Sequence, residues 1–404
     1  MEPSLDAARA LLARHFGYRD FRPLQERVVA ALLAGRDVLG VLPTGAGKSA
    51  CFQVPAHLGE GVTLVVSPLI SLMQDQVAAA RARGLSAAAL HSSQPAAEQR
   101  EALTDAAAGR LRLLYTSPER LPRLARELGE RGVRPARLAV DEAHCISEWG
   151  HDFRPSYRGL GRHRLALGGP PVVALTGSAT PAVRADIRAT LRFRPGAGEV
   201  VGSFDRRNLR FAVRLVAGEA ERLEVLLALL GAADRVALVY APTRRLTEAL
   251  SRTLGRRGYR AAPYHAGLSP DLRRATLDRF LDDDVEVVVA TSAFGMGIDK
   301  PTVRLVVHWM MPPTPESYYQ EAGRAGRDGG RADCVLLHAG GDAGLHRRQL
   351  DVTFPPRRLV ERAWRDPGLT GLAPNVRASV ERLRGELRPE RGAVRWQRVD
   401  RRRE

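Results

Sequence analysis

Short apolar runs recur along the chain, each ending at a polar or glycine-rich turn and followed by a mixed segment of helical length. Val38 to Leu42 leads into the turn Pro43–Gly47, and Arg137-Leu-Ala-Val140 leads into Asp141 and Glu142. In the second half, VALVYAPTRR and VVVATSAFG repeat the arrangement. Runs that are apolar throughout, rather than alternating, predict strands buried on both faces of a parallel sheet whose crossovers are helices. LEVLLALL at 223–230 reads instead as one amphipathic helix. The pattern therefore predicts an α/β protein with two parallel-sheet domains, 1–205 and 206–350. The polar stretch GSFDRRNLRF lies at their junction. Beyond them, 351–404 forms a small basic segment with two helical stretches, FPPRRLVERAWRD and APNVRASVERLRGEL, and a strand or wing, GAVRWQRVDRRR. It reads either as a winged-helix remnant or as a basic helical tail.

Composition narrows this picture. The 404 residues suit two ordinary domains and an appendage. No apolar run approaches the ~20 residues of a membrane span, and MEPSLDAARALLARHFG lacks the apolar core of a signal peptide. Cys51, Cys145 and Cys334 are few and far apart, which predicts no disulfide framework and a cytoplasmic protein with no membrane partner. The net charge of +17 favours nucleic acid, although an arginine-, alanine- and glycine-rich bias raises charge everywhere. Only Lys48 and Lys300 are lysines among 62 basic residues. A lysine surviving in such a chain marks a position where a compact ammonium is needed in place of a planar guanidinium.

Lys48 follows a strand and a glycine-rich turn, and a helix is predicted to start at it. Backbone N–H groups at Gly45 and Gly47 can curl around a phosphate, helped by the helix N-terminus. Lys48 would reach the β- and γ-phosphates of a nucleotide, and the Ser49 hydroxyl would hold Mg²⁺. Leu42 stands where the common GxxxxGK[ST] pattern has glycine, but the tighter form TGxGKS fits Thr44, Gly45, Ala46, Gly47, Lys48 and Ser49. Asp141 and Glu142 supply what nucleotide hydrolysis needs at a strand end: one carboxylate near Mg²⁺ and one to polarise water. A plain glycine turn and a solvated acid pair are the bland alternatives. His144, Cys145 and His151 lack a fourth ligand and a CxxC pair, so no stoichiometric zinc is expected. Trp149, His151, Phe153 and Tyr157, interleaved with Arg154 and Arg158, read as a stacking and phosphate platform for single-stranded nucleic acid. Core packing is the alternative for any one of these rings.

DEAHCISEWGHDFRPSY (141–157) resembles the aromatic-rich loop of the RecQ family of DNA helicases, and the likeness continues in order through much of the chain. FGYRDFRPLQ (16–25) resembles the family's adenine-recognition motif, which implies that Tyr18 and Arg22 lie against the ring and Gln25 on its polar edge. VVSPLISLMQDQ (65–76) and YTSPERL (115–121) resemble DNA-backbone motifs. ALTGSAT (174–180) resembles the segment coupling hydrolysis to domain movement, implying coupling roles for His144, Ser178 and Thr180. In the second half, GMGIDK implies that Asp299 approaches the ribose. QEAGRAGRDG implies nucleotide contacts for Gln320, Arg324 and Arg327, either arginine serving as the finger that crosses the cleft.

The resemblance implies two RecA-like motor domains with ATP and Mg²⁺ between them. It also implies 3′→5′ movement on single-stranded DNA, unwinding of forked or tailed duplexes, and a place in DNA repair and recombination. Protein partners are not readable. The family commonly continues into a four-cysteine zinc module, which is not expected here because no cysteine follows Cys334. An RNA helicase or a translocase without strong unwinding is the nearest rival. A catalytically dead nucleic-acid-binding scaffold is the rival from another class.

Overall fold

The computed structural model describes residues 4–342, except 44, 93, 149–152, 233–235 and 296–299, together with 344 and 347. The chain divides into two compact units, 1–337 and 338–404. The basic segment 351–404 lies outside the described residues, and with it the winged-helix and helical-tail readings.

The first unit carries two sheets. Strands β1 (Val38–Val41), β2 (Thr63–Val66), β3 (Ala87–Leu90), β4 (Leu113–Thr116), β5 (Arg137–Val140), β6 (Val172–Thr176) and β7 (Gly198–Val201) form a seven-stranded sheet. Its order is β3-β4-β2-β5-β6-β1-β7, and every neighbouring pair is parallel. Strands β8 (Leu209–Leu215), β9 (Ala237–Tyr240), β10 (Ala261–Tyr264), β11 (Val287–Ala290), β12 (Leu305–His308) and β13 (Ala332–His338) form a second sheet. Its order is β10-β11-β9-β12-β13-β8, parallel from β10 through β13.

The apolar runs are continuous because both faces of these strands are covered. In the first sheet Leu39, Val41, Leu64, Val66, Leu138 and Val140 pack on one side, while Val38, Val65, Ala139 and Val173 pack on the other. The second sheet alternates in the same way, with Leu238, Val288 and Val306 opposite Val239, Val289 and Val307. Parallel strands end on the same edge. The turns after β1, β2, β5 and β6 therefore gather at the carboxyl edge of the first sheet, where open α/β sheets bind ligands.

Two details differ from the predicted elements. The helix expected from Lys48 spans Ala50–Ala56, because tight backbone bonds from Ala50, Cys51 and Phe52 to Gly47, Lys48 and Ser49 hold Lys48 and Ser49 in a turn. The predicted 223–230 helix is longer, Glu219–Gly231. The first sheet ends at Val201 and the second begins at Leu209, so the polar junction is a connecting segment with its own contacts.

Candidate nucleotide site

The phosphate loop is built on two left-handed glycines, Gly45 at φ +78° and Gly47 at φ +69°, conformations that cost glycine little and other residues much. Residues from the N-terminal motif hold its carbonyls. The Gln25 side-chain amide donates to the carbonyls of Ala46 (2.8 Å) and Gly47 (3.0 Å), and accepts from the Arg22 backbone N–H at 2.9 Å. The Arg22 guanidinium donates to the Gly45 carbonyl at 2.7 Å. A Cβ at position 47 would lie 2.6 Å from the Gln25 amide nitrogen, so this packing requires glycine. Gln25 and Arg22, implied to face adenine, here brace the loop itself. Tyr18 is 65% exposed, and its ring is accessible for stacking. Thr44 lies outside the described residues.

At the end of β5 the Asp141 backbone N–H bonds to Val66 at 2.9 Å, which seats the acid beside the loop after β2. Its buried carboxylate accepts from the Gln76 side chain and from the Glu142 N–H, both at 3.0 Å. Burial, and then the neighbouring Glu142 charge, push the Asp141 carboxyl up to about 6, opposed by the Lys48 charge and the Gln76 hydrogen bond. Two adjacent carboxylates in a dry site form a donor set that a divalent cation would relieve. Asp141 and Ser49 fit Mg²⁺, and the glycine loop with Lys48 fits a polyphosphate.

Glu142 adopts φ 46°, ψ 50°, a strained backbone for a non-glycine residue of the kind that gathers at functional sites. His144 is buried, with Nδ1 2.9 Å from the Thr176 hydroxyl and 3.3 Å from the Glu142 carboxylate. Thr176 Oγ1 also donates to the Ser178 carbonyl at 3.0 Å. A chain of contacts thus joins Glu142, His144, Thr176 and Ser178. Thr180 has a local role, since its hydroxyl caps the helix Pro181–Thr190.

The aromatic loop is corrected in two places. Tyr157, read as a stacking ring, is fully buried, and its hydroxyl donates to the Asp141 carbonyl at 3.4 Å. Arg158, read as a phosphate contact, pairs with Glu148 at 3.1 Å and Asp186 at 2.9 Å and covers the Phe153 ring at 5.7 Å. Each was misjudged because its partners are distant in sequence or belong to the packed core. Phe153 is half-buried. Arg154 donates to the Pro68 carbonyl at 2.8 Å, and Ser156 donates to Glu119 at 2.8 Å. The loop is therefore tied to both segments 65–76 and 115–121. Trp149 and His151 lie outside the described residues. Cys145 is enclosed in the apolar core while His144 turns to Thr176.

From the second sheet, the loop after the helix Pro315–Ala322 brings the two arginines to different places. Arg324 is nearly buried beside Tyr240. Burial pushes the Tyr240 phenol up, and the Arg324 charge is the strongest influence against it. Arg327 crosses to the phosphate loop: a Cβ on Gly45 would stand 3.4 Å from Arg327 Cγ. Gln320 is half-buried on that helix, and Asp299 lies outside the described residues. The sequence reading missed Gln76, Thr176, Arg206 and Asn208. Gln76 closes the quoted 65–76 motif and Thr176 lies inside 174–180, so those two were within reach. Arg206 and Asn208 lie in the polar stretch at the junction of the two domains, where the pattern marks only a boundary.

Comparison with known proteins agrees with this arrangement. Residues 22–187 match the DEAD/DEAH box helicase family and residues 220–329 the helicase conserved C-terminal domain. The chain is 43% identical over 345 residues to the ATP-dependent DNA helicase RecQ of Bacillus subtilis, covering 85% of this chain and 58% of that protein. It is 38% identical over 344 residues to the probable ATP-dependent DNA helicase RecS of the same organism, covering 84% of this chain and 68% of that one. The chain thus spans less than two thirds of the RecQ protein. A solved structure of the helicase MrfA bound to DNA superposes with a TM-score of 0.69 at 18% identity, over 85% of this chain and 52% of that one, which shows a shared fold. The order of motifs, the paired parallel sheets and these identities together place the chain in the RecQ family of helicases.

Proposed function

We propose that the chain is an ATP- and Mg²⁺-dependent DNA helicase of the cytoplasm that moves 3′→5′ on single-stranded DNA and unwinds forked or tailed duplexes in repair and recombination. The observation that carries this reading is the position of Asp141. Its carboxylate accepts from Gln76 and feels the charge of Lys48 on the phosphate loop, while its carbonyl receives the Tyr157 hydroxyl of the aromatic loop. That loop is anchored in turn on Pro68 and Glu119, in the segments that resemble DNA-backbone motifs. Strand occupancy sensed there has a short mechanical route to the hydrolytic acids.

In this reading Lys48, the loop amides and Arg327 hold the phosphates, and Arg327 meets the charge developing on the γ-phosphoryl group. Mg²⁺, when bound, neutralises phosphate charge from Asp141 and Ser49. Glu142 orients the attacking water and accepts its proton, with His144 fixing the carboxylate. Arg324 acts from beside Tyr240 and Gln320 from the facing helix. Tyr18 stacks on the base. Asp299 contacts the ribose. Trp149, His151 and Phe153 stack on DNA bases, with Arg154 shaping the loop around them. Ser178 relays the state of His144 toward the second sheet, and Thr180 secures the helix that follows.

The test measures ATP hydrolysis with single-stranded DNA and with RNA of matched sequence, and unwinding of 3′-tailed, 5′-tailed and forked duplexes. DNA-selective stimulation with unwinding of 3′-tailed and forked substrates is expected. Stimulation by RNA alone would replace the reading with an RNA motor. Stimulation by DNA without strand separation would reduce it to a translocase.

A further inference from the structure

The connecting segment between the sheets does more than join them. Asn208, directly before β8, points its side-chain amide at the loop that carries the two arginines. Nδ2 donates to the carbonyls of Gly326 and Gly330, both at 2.8 Å. The Asn208 backbone carbonyl accepts from the Ala332 N–H at 3.0 Å. Arg206 completes the grip. Its guanidinium donates to the carbonyls of Ala325 (3.1 Å) and Gly326 (2.9 Å), and its Nε donates to the Asn208 side-chain oxygen at 3.2 Å. Three loop carbonyls on either side of Arg327 are therefore held by two side chains that are themselves bonded together.

The loop is shaped to receive this grip. Gly326 adopts φ +55°, and a Cβ there would lie 2.5 Å from Asn208 Nδ2 and 2.6 Å from the Gly330 carbonyl. Only glycine lets the amide come so close. A second clamp lies on the far side, where Arg304 pairs with Asp328, and Asp328 in turn accepts from the Gly330 N–H at 2.9 Å. Upstream, the Tyr319 hydroxyl donates to the Phe204 carbonyl at 2.8 Å and the two rings meet edge to face at 5.7 Å. The connecting segment 204–208 is thus fastened along the helix end and loop 319–330, and Arg327 projects from the middle of the fastened stretch toward Gly45.

We propose that Asn208 and Arg206 are positioning residues that hold the 325–330 backbone so that the Arg327 guanidinium is presented to the phosphate loop. Both sit on the segment that joins the two sheets, so the link between the sheets and the placement of the arginine share the same contacts. The inference rests on Arg327 acting on the nucleotide phosphates. Catalysis is sensitive to small displacements of such a group. The expected signature is a loss in the rate of the chemical step with little change in nucleotide affinity.

The test uses the full chain and a double-mutant cycle in DNA-stimulated ATP hydrolysis, read as kcat and KM separately. Asn208→Asp keeps shape and volume but replaces the two donated hydrogen bonds with an acceptor facing two carbonyls. It is expected to lower kcat by roughly 10- to 100-fold, a share of what an intact arginine finger contributes, with KM for ATP changed less than about threefold. Arg327→Ala is expected to lower kcat at least as far. In the Arg327→Ala background, Asn208→Asp should cost less than about twofold more, because the residue through which it acts has gone.

Unchanged kcat in Asn208→Asp overturns the proposal, and so does a full multiplicative loss in the double variant. Unchanged kcat in Arg327→Ala overturns the role of Arg327 itself, a separate failure of the reading beneath it. If thermal melting shows Asn208→Asp to be unfolded, Arg206→Met takes its place in the cycle. That change leaves Asn208 and its two bonds intact, and the same outcomes decide.

Discussion

The two lysines sit in regions that differ in almost every physical respect. Lys48 is half-buried on the phosphate loop, and its charge is felt at the Asp141 carboxylate and the Cys51 thiol. Lys300 is buried: its ammonium donates to the Leu281 carbonyl at 2.9 Å, pairs with Asp283 at 2.8 Å and lies 5.2 Å from the Phe280 ring centre. Leu281 ends the helix Pro270–Leu281, and Asp283 follows in a left-handed conformation. Lys300 therefore caps a helix terminus with a compact cation, while Lys48 is placed to meet a ligand. The same scarcity in the sequence marks two needs for an ammonium, and only the surrounding groups reveal which need is which.

The sharpest separation comes from removing each ammonium. Lys48→Ala is expected to lower the ATP hydrolysis rate by at least ~100-fold, as loss of a preorganised charge at a reacting group does. Its melting temperature should stay within about 1 °C of the parent, as for substitutions that remove no core packing. Lys300→Met should do the reverse. Leaving the Leu281 carbonyl and Asp283 without their cation is expected to cost about 2 kcal/mol, seen as a lower denaturation midpoint, while kcat of the folded protein at low temperature stays within about threefold. Steady-state kinetics and chemical denaturation of both variants check the pair. A Lys48→Ala variant that turns over normally, or a Lys300→Met variant that is fully stable but inactive, would erase the contrast.

Why one half of this contrast was readable follows from where the partners lie. The phosphate loop is strand, turn and helix in one local stretch, and the acids close a second strand, so chemistry and position were both visible. The α/β class followed from the apolar runs, because covered faces on both sides leave no alternation. Tyr157 was misjudged because its ring belongs to the loop's sequence but to the core's packing. Gln25 and Arg22 are expected beside a base, and the bonds they also make to the loop's carbonyls are something no side-chain pattern records. Nothing in GRAGRDG separates Arg324 from Arg327. They differ only once the second sheet is set against the first, with one beside Tyr240 and the other at Gly45.

A smaller effect sharpens the Lys48 side. The folded Asp141 carboxyl is raised to about 6 from an ordinary aspartate value of 3.8. Below about pH 4 both folded and unfolded chains hold this proton. Between about 4 and 6 only the folded chain does, so the contribution of this group to stability is lost as pH rises through that window. Mg²⁺ competes with the same proton, and its apparent affinity should fall by up to about tenfold per unit as pH drops below 6. The Mg²⁺ concentration giving half-maximal ATP hydrolysis, followed from pH 7.5 to 5.5, is expected to rise accordingly, and in Mg²⁺-dependent nucleotide binding, which needs no turnover, Asp141→Asn should show a flatter rise than the parent. A pH-independent Mg²⁺ requirement would place the ion elsewhere.

The Lys300 side can be sharpened with a cation that lacks what Lys300 has. Arg164 and Arg137 are both buried guanidinium groups of the first sheet's domain. Arg164 pairs with Asp37 at 2.7 Å and donates to the carbonyls of Pro170, Leu191 and Arg192 at 2.8 to 3.0 Å. Arg137, at the start of β5, has no ion pair or side-chain hydrogen bond among the described residues, and its Nη1 is buried without a partner. It lines a cavity of about 650 Å³ together with Arg112 and His57, and burial alone lowers its pKa. Of its neighbours there, His57 is committed to the Gln53 carbonyl and the Ser86 N–H, Arg112 carries the same charge, and the one carboxylate lining the cavity, Glu60, is exposed and makes no ion pair with Arg137 among the described residues. A buried ion without a partner costs several kcal/mol, part of which a flexible stem and entering water recover. Arg137→Met keeps the stem and removes the charge, so it is expected to stabilise the chain by about 1 kcal/mol. Arg164→Met strands three carbonyls and removes one of the cations on Asp37, which keeps the Arg194 guanidinium and the Val172 and Arg194 N–H groups; it should destabilise the chain by about 2 kcal/mol or more. Denaturation midpoints of the two variants at matched salt decide the matter. A loss of stability in Arg137→Met would mean that the guanidinium is compensated in solution after all, and that burial with partners and burial without them are not distinguished at this sheet.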